Sequence, residues 1–387
     1  MPLGIWHISL SILYWIVSLF DASRLYNVNP ANEKINSRRM VFFRTKDGVS
    51  EKKMKAYIVK KYGKKEKLHL TDVSEPIVKE NEVLVQIHAA GVNQLDTKIK
   101  IGEFKLFLPY KTPFINGHDM AGTVVKVGSA IKDFKIGDEV YSRVGDYRIG
   151  TFAKYISVNK NDLALKPKNL SMIEAASIPL VGLTAWQALV EMGKIKKGQK
   201  VFIQAGSGGV GTFAIQLAKH LGAYVATTTS TENVEWVKSL GADVLIDYKK
   251  EDFETTLKDY DLVIHSNRDP KVLEASFRIL KQGGHLISLV GPPTPEFAQE
   301  IGLAWHLKFI TKLISSKARK KAKKLKVNFR FLFMRAEGNQ LREITKLIEG
   351  GIIKPVIDKV FPFEQTNEAM AYVETGRVKG KVVVKVK

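Results

Sequence analysis

The chain contains no cysteine. That excludes a disulfide framework, any Cys-ligated zinc or iron–sulfur centre and any thiol nucleophile, so other groups must do the chemistry. Negative charge is scarce: 39 Asp and Glu stand against 61 Lys and Arg, a balance of +22 that suits nucleotide phosphates, nucleic acid or an acidic membrane face. Internal repeats are absent. What remains, 45% hydrophobic and 26% charged residues over 387 positions, has the proportions of a folded chain of roughly two domains of about 150 residues each.

One long apolar run, residues 3–20, stands apart from the fold and has the length of a membrane span or signal core. It lacks a basic n-region, while Arg24, Lys34, Arg38 and Arg39 follow it; an uncleaved anchor would leave the rest on the cytoplasmic side. Residues 27–53 are polar, basic and without sustained period, as in a linker. Three readings stand: translation starting at Met54, where patterned sequence begins, an anchor giving membrane association through 3–20, or a targeting peptide. The first is favoured, with a cytoplasmic protein.

From Met54 the texture is β: runs at 55–59, 82–89, 121–127 and 139–142 are β-branched and punctuated by Gly, Pro and Asp, as in a mostly antiparallel domain. Helical spacing covers 172–192. Strand-like runs at 201–205, 224–229, 244–247, 262–265 and 285–290 then alternate with helical stretches, which predicts a doubly wound parallel α/β sheet. Strands at 327–333 and 381–385 and a helix at 340–349 complete the pattern.

The strongest motif is Gly206-Ser207-Gly208-Gly209-Val210-Gly211, between the strand VFIQA and a predicted helix over 212–221. In a dinucleotide-binding loop Gly206 serves the tight turn, Gly208 admits the pyrophosphate and Gly211 lets helix pack on strand. The helix N-terminus supplies N–H groups for the diphosphate. Ser207 is no nucleophile elbow, because Ala205 stands where that motif needs its first glycine.

Cofactor choice is read at the end of the second strand, where NAD enzymes place a carboxylate for the ribose hydroxyls. Here the sequence is Thr227-Thr228-Thr229-Ser230-Thr231. Hydroxyls of Thr229 and Ser230, with Asn233 and Tyr248 in reach, favour NADPH over NADH; alternatively the threonines are strand formers and a helix cap.

Several motifs occur in family order: Ala89-Ala90-Gly91-Val92-Asn93-Gln94-Leu95-Asp96, Gly117-His118-Asp119-Met120-Ala121-Gly122, Gly137-Asp138-Glu139-Val140, Gly182-Leu183-Thr184-Ala185-Trp186, the glycine loop, and Gly376-Arg377-Val378-Lys379-Gly380-Lys381-Val382-Val383. With them the chain from Met54 resembles the medium-chain dehydrogenase/reductase superfamily, in its zinc-free quinone oxidoreductase and enone (alkenal) reductase branch. The resemblance implies a GroES-like catalytic domain over 54–177, a Rossmann NADP-binding domain over 178–325 and a return to the catalytic domain over 326–387, with 1–53 outside the fold. It implies a homodimer. It also places Asn93 and Thr184 beside the nicotinamide, Asp96 as a brace for the Asn93 loop, Leu289, Val290 and Gly291 behind the ring, and Lys381 among the cofactor contacts.

Zinc-dependent relatives use a Cys where this chain has Asn93, and a tetrahedral site needs three converging ligands, so no metal is expected and His118 reads as a packed, hydrogen-bonded histidine. The reaction implied is hydride transfer to a quinone or an α,β-unsaturated carbonyl compound, with donors aimed at the developing oxyanion. Lys98 and Phe104 stand where quinone-reductase relatives often place tyrosines, so no tyrosine proton donor carries over.

One segment suggests a different class of function. Between Glu300 and Glu337 there are eleven basic residues and no acidic one, ten of them within 308–330. Such a stretch binds RNA or an anionic membrane surface, or is simply a solvated helix and loop. The last is favoured, since RNA-binding signatures and interleaved aromatics are lacking, and nucleic acid is not the expected partner.

Overall fold

The structure, a computed structural model, describes residues 52–387; the apolar run at 3–20 and nearly all of the basic linker lie outside them. The sixteen strands among the described residues are named here for what they position. Along the first part of the chain run β1 (Lys53–Val59), β2 (His69–Ser74), β3 (Glu82–Val92), β4 (Phe114–Ile115), β5 (Asp119–Val127), β6 (Glu139–Arg143), β7 (Tyr155–Asn159) and β8 (Leu163–Leu165). They build an antiparallel half in which β3 pairs with β5 and β7, β5 with β6, and β6 with β8. The central strand β3 is buried along nearly its whole length, which is why its sequence is apolar rather than alternating.

The second half is a six-stranded parallel sheet of β9 (Lys200–Ile203), β10 (Tyr224–Thr229), β11 (Val244–Asp247), β12 (Tyr260–His265), β13 (Leu280–Ser288) and β14 (Asn328–Phe331), in the order β11-β10-β9-β12-β13-β14. The order reverses beside β9, so the glycine loop that follows β9 opens at the topological switch point, where ligands of doubly wound sheets bind. The last strand named, Lys381–Lys385, returns to the first sheet and lies against β3, pairing Val382 with Val92. Its parallel neighbour Ile357–Pro362 contains an edge proline and exposed lysine and gave no strand signal in the sequence.

Some expectations need correcting. Residues 172–192 do not form one helix: Met172–Ala176 ends before Pro179, which starts Pro179–Trp186 because it has no N–H to donate to a preceding turn, and a π-helical turn follows at Gln187–Met192. The strand expected at 285–290 begins at Leu280 and ends at Ser288. The basic stretch after Gly291 forms three helices, Pro295–Glu300, Trp305–Ile314 and Ser316–Lys324. The two halves share a core: Ala89, Ala121 and Val383 from one sheet pack in the same apolar cluster as Leu183, Phe213, Ile203 and Ile344. Burial across that seam fixes the angle of the cleft.

Candidate active site

The glycine loop follows directly from the strand before it. β9 stops at Ile203, and the turn is made by Ala205 at φ +56°, with the Gly206 N–H donating to Thr228 O at 2.8 Å. The left-handed residue is thus Ala205, not Gly206. Gly206 is glycine for another reason: a Cβ there would lie 2.3 Å from Thr227 Oγ1 on the neighbouring strand. Gly211 is held as expected, since its Cβ would meet Ala205 O at 2.2 Å. Gly208 caps helix Gly209–His220 in extended conformation, and its Cβ would find only Ala205 O, at 3.4 Å. Space at Gly208 is therefore open on the side a diphosphate would approach. Val210, partly buried, packs its side chain against the core.

At the end of β10 the turn residues point partly inward. Thr229 Oγ1 is buried with no protein partner. The Ser230 hydroxyl accepts from Asn233 Nδ2 at 2.9 Å, and Asn233 Oδ1 accepts from Trp236 Nε1 at 2.9 Å, so Asn233 braces the turn. Tyr248 is 61% exposed, and its N–H donates to Thr229 O at 3.2 Å. Next to it come two cations that sequence reasoning passed over: Lys249 bonded to Glu232 at 2.9 Å, and the exposed Lys250 at 3.4 Å from Asp247. A count of side chains within the 227–233 turn could not find them, because they arrive from the adjacent strand.

The second part of the site is built of side chains. Asn93 begins helix Gln94–Ile101, and its N–H donates to Asp96 Oδ2 at 2.7 Å. Asp96 is fully buried and its other oxygen faces His118 Nδ1 at 2.5 Å, while His118 Nε2 is buried without a partner. Asn93 Nδ2 donates to Asp119 Oδ2 at 3.0 Å, and Asp119 Oδ1 accepts the Leu180 N–H at 2.9 Å. Lys381, buried, inserts its ammonium between them: it donates to Asn93 Oδ1, to Val92 O at 3.3 Å, and lies 3.4 Å from Asp119 Oδ2. Burial pushes the Asp119 carboxyl up, and the Lys381 charge opposes that. Thr184 sits one turn into helix Pro179–Trp186 with its hydroxyl donating to Leu180 O at 2.7 Å, and so is not bonded to this cluster.

The two parts meet at the chain's last strand. The Gly380 N–H donates to Ser207 O at 2.8 Å, and a Cβ on Gly209 would strike Lys381 Cδ at 2.9 Å. Leu289 to Gly291 extend β13 towards the same cleft: the Leu289 N–H donates to His265 O at 2.9 Å and the Gly291 N–H to Ser288 Oγ at 2.8 Å, while Val290 is half-buried. Nearby in sequence to helix Gln94–Ile101, Phe104 meets Phe333 at a tilt with ring centres 5.4 Å apart and Phe107 meets Phe297 edge to face at 6.0 Å, with Glu103 paired to Arg268. Burial, chiefly, lowers the Lys98 ammonium from its ordinary value.

The donors at Asn93 do not fit zinc. No three His, Asp or Glu side chains gather for a metal among the described residues, and the position between Asn93 and Asp119 is filled by a lysine ammonium, which offers protons where a metal needs lone pairs. The glycine cradle and the unpartnered Thr229 hydroxyl do fit a dinucleotide.

Comparison with known proteins agrees with this architecture. Residues 79–168 match the model for the alcohol dehydrogenase GroES-like domain, residues 240–384 that for the zinc-binding dehydrogenase, and residues 181–272 that for the alanine dehydrogenase/PNT C-terminal domain. The chain is 37% identical to a chloroplastic NADPH-dependent alkenal/one oxidoreductase of Arabidopsis thaliana, over 88% of this chain and 81% of that one. It is also 37% identical to a 2-methylene-furan-3-one reductase of Solanum lycopersicum, over 86% and 79%. The solved quinone oxidoreductase of Coxiella burnetii superposes with a TM-score of 0.76 at 31% identity, covering 87% of this chain and all of that one. Motifs, two-sheet fold and relatives together place the chain in the medium-chain dehydrogenase/reductase superfamily of oxidoreductases.

Proposed function

We propose that the protein is a zinc-independent NADPH oxidoreductase that delivers hydride to an α,β-unsaturated carbonyl compound or a quinone, small molecules with an electron-poor carbon. The observation that carries this reading is the junction of the two halves, where the glycine loop and the Asn93–Asp119–Lys381 cluster share one strand. The names of the relatives, an NADPH-dependent alkenal/one oxidoreductase and a quinone oxidoreductase, support the substrate class.

NADPH, when bound, supplies the hydride from C4 of its nicotinamide. The backbone of Gly206, Ser207, Gly208, Gly209 and Gly211, at the head of helix Gly209–His220, holds the diphosphate, with Val210 anchoring the loop. Thr229, Ser230 and Tyr248 meet the ribose and its phosphate, Lys250 supplies positive charge there, and Asn233 keeps the turn in shape. Leu289, Val290 and Gly291 back the nicotinamide, and Thr184 contacts the cofactor face through its methyl. Asn93 is the group that touches substrate: with Oδ1 held by Lys381 and one Nδ2 hydrogen held by Asp119, its second N–H is left to meet the oxygen on which charge develops. Lys381 and Asp96 are positioning residues. The last proton comes from solvent. Residues 54–177 and 326–387 act as the catalytic domain and 178–325 as the cofactor domain, in a cytoplasmic homodimer for which β14 offers an unpaired sheet edge.

The test is NADPH consumption followed against 2-alkenals, vinyl ketones and quinones, with Asn93→Ala alongside. Turnover of at least one class, reduced at least about tenfold in kcat by Asn93→Ala with NADPH affinity unchanged, is expected. A protein that binds NADPH but reduces none of them sinks the proposal.

A further inference from the structure

Helix Trp305–Ile314 has apolar residues on the wrong side. It buries Leu307 and Thr311 against the body of the protein, yet Trp305, Phe309 and Leu313, each four residues apart, form an outward stripe that is 80%, 55% and 56% exposed. Ile301, just before the helix, is exposed as well. A surface helix ordinarily turns a polar face to water, and an aromatic-rich exposed stripe marks a surface that is covered in use.

The charge beside the stripe identifies the cover. Lys308 and Lys312 lie within the helix, and the next one, Ser316–Lys324, buries Ala318 and Ala322 while exposing Lys317, Lys320, Lys323 and Lys324. Of the eleven basic residues over 301–336, only Lys317, Arg330 and Arg335 pair with carboxylates among the described residues. Arg319 donates to Ser315 Oγ and Lys312 O, which leaves seven lysines without a carboxylate among the described residues. A second copy docked two-fold through this face would bring two uncompensated basic segments together. RNA would neutralise the lysines and stack on Trp305 and Phe309 but would leave Leu313 and Ile301 wet. An anionic bilayer serves both sets, taking Trp, Phe and Leu at the headgroup–acyl boundary and lysines at the headgroups.

We propose that the outer face of helix Trp305–Ile314, with the lysines of the helix after it, is a docking surface for an anionic lipid bilayer. The helix lies in the interface and does not cross; among the described residues no helix is long and apolar enough to do so. The inference is independent of the reaction assigned above.

Full-length protein is sedimented with phosphatidylcholine vesicles and with vesicles containing about one third phosphatidylserine. Two variants keep residues 1–53 intact, so any binding through them is common to all samples: Trp305→Ser/Phe309→Ser/Leu313→Ser, and Lys320→Glu/Lys323→Glu/Lys324→Glu. Both alter exposed side chains, and unchanged circular dichroism and enone turnover verify the fold. Expected are preference for the anionic vesicles and a loss of partitioning of at least about tenfold in each variant. A fluorescence blue shift on vesicle addition that is reduced in Trp305→Phe places that indole in the boundary, Trp6 and Trp15 being common to both proteins. Partitioning unchanged in the apolar variant overturns the proposal. So does a drop in oligomeric state of that variant on sizing, which makes the stripe a contact between copies, or retention of RNA that the lysine variant loses and the apolar variant keeps.

Discussion

The two halves of the candidate active site are built by different means. The glycine loop works through backbone: what matters at Gly206, Gly209 and Gly211 is the absence of a side chain where neighbours stand within 3 Å, and all of it lies within six consecutive residues. The Asn93 cluster works through side chains brought from three places in the chain, with Asn93 to Asp119 spanning 26 positions and Asn93 to Lys381 spanning 288. Backbone sites are robust to charge and intolerant of bulk. Buried polar clusters are the reverse, because each member satisfies another and removal of one strands the rest.

The sharpest way to test that contrast is Lys381→Met. It leaves Asp119 ionisable, fully buried and without its cation, which should lower unfolding free energy by about 3 kcal/mol and turnover by about a hundredfold or more. Urea melts and steady-state rates measure both. Adding Asp119→Asn should restore much of the stability but not the rate; recovery of both together would mean that Lys381 is only a structural residue.

Burial of charge also separates the halves in pH. His265, on β12, bonds Ser288 Oγ at 2.8 Å and is lowered by burial to about 4. The unfolded chain therefore takes up this proton at higher pH than the folded one, so the stability linked to His265 is intact above about 6.5 and drains away towards 4, up to about 3 kcal/mol. His265→Gln should flatten the pH dependence of the melting temperature in that window. An unchanged slope would place the acid sensitivity elsewhere.

For the glycine loop, Gly208→Val is the informative change, since Gly208 has φ −82° and room for a Cβ. NADPH affinity should fall about a hundredfold, or about 2.7 kcal/mol, with the melt nearly unmoved. Gly211→Val should instead damage the fold itself. Equal NADPH binding by a folded Gly208→Val protein would reduce the loop to a structural turn. The smallest effect is expected at Lys250, which is solvated: Lys250→Glu should weaken NADPH about threefold to tenfold while leaving NADH alone, a difference read by nucleotide fluorescence and one that should fade in high salt.

The sequence made the first half legible and the second only in outline. A glycine loop is local in sequence, flanked directly by its strand and its helix, so period and composition suffice to find it; even there the left-handed turn at Ala205 was missed, because alanine carries no signal for positive φ. Asn93 and Asp96 were found together since they belong to one short motif of the resemblance, which the structure shows capping one helix. Lys381 reached the list by resemblance as a cofactor contact, and its grip on Asn93 and Asp119 depends on a strand pairing that no spacing rule exposes. Lys249 and Lys250 escaped for the same reason. The helix Trp305–Ile314 was read as part of a loose basic stretch: it is amphipathic over only ten residues, and the lysines that follow it dominate the composition of the segment.

The position of Lys381–Lys385 also has a kinetic consequence. Five of the six parallel strands, β9 to β13, come from one continuous run of chain whose longest closure pairs Leu262 with Val201, whereas the strand carrying Lys381 must find β3 across nearly the whole described chain. Long loops close slowly, so the parallel sheet should form first and the antiparallel one be completed late. On dilution from denaturant, helical ellipticity should return before enone turnover does: the ammonium that orients Asn93 arrives with the slowest pairing, and the enzyme regains its shape before its chemistry.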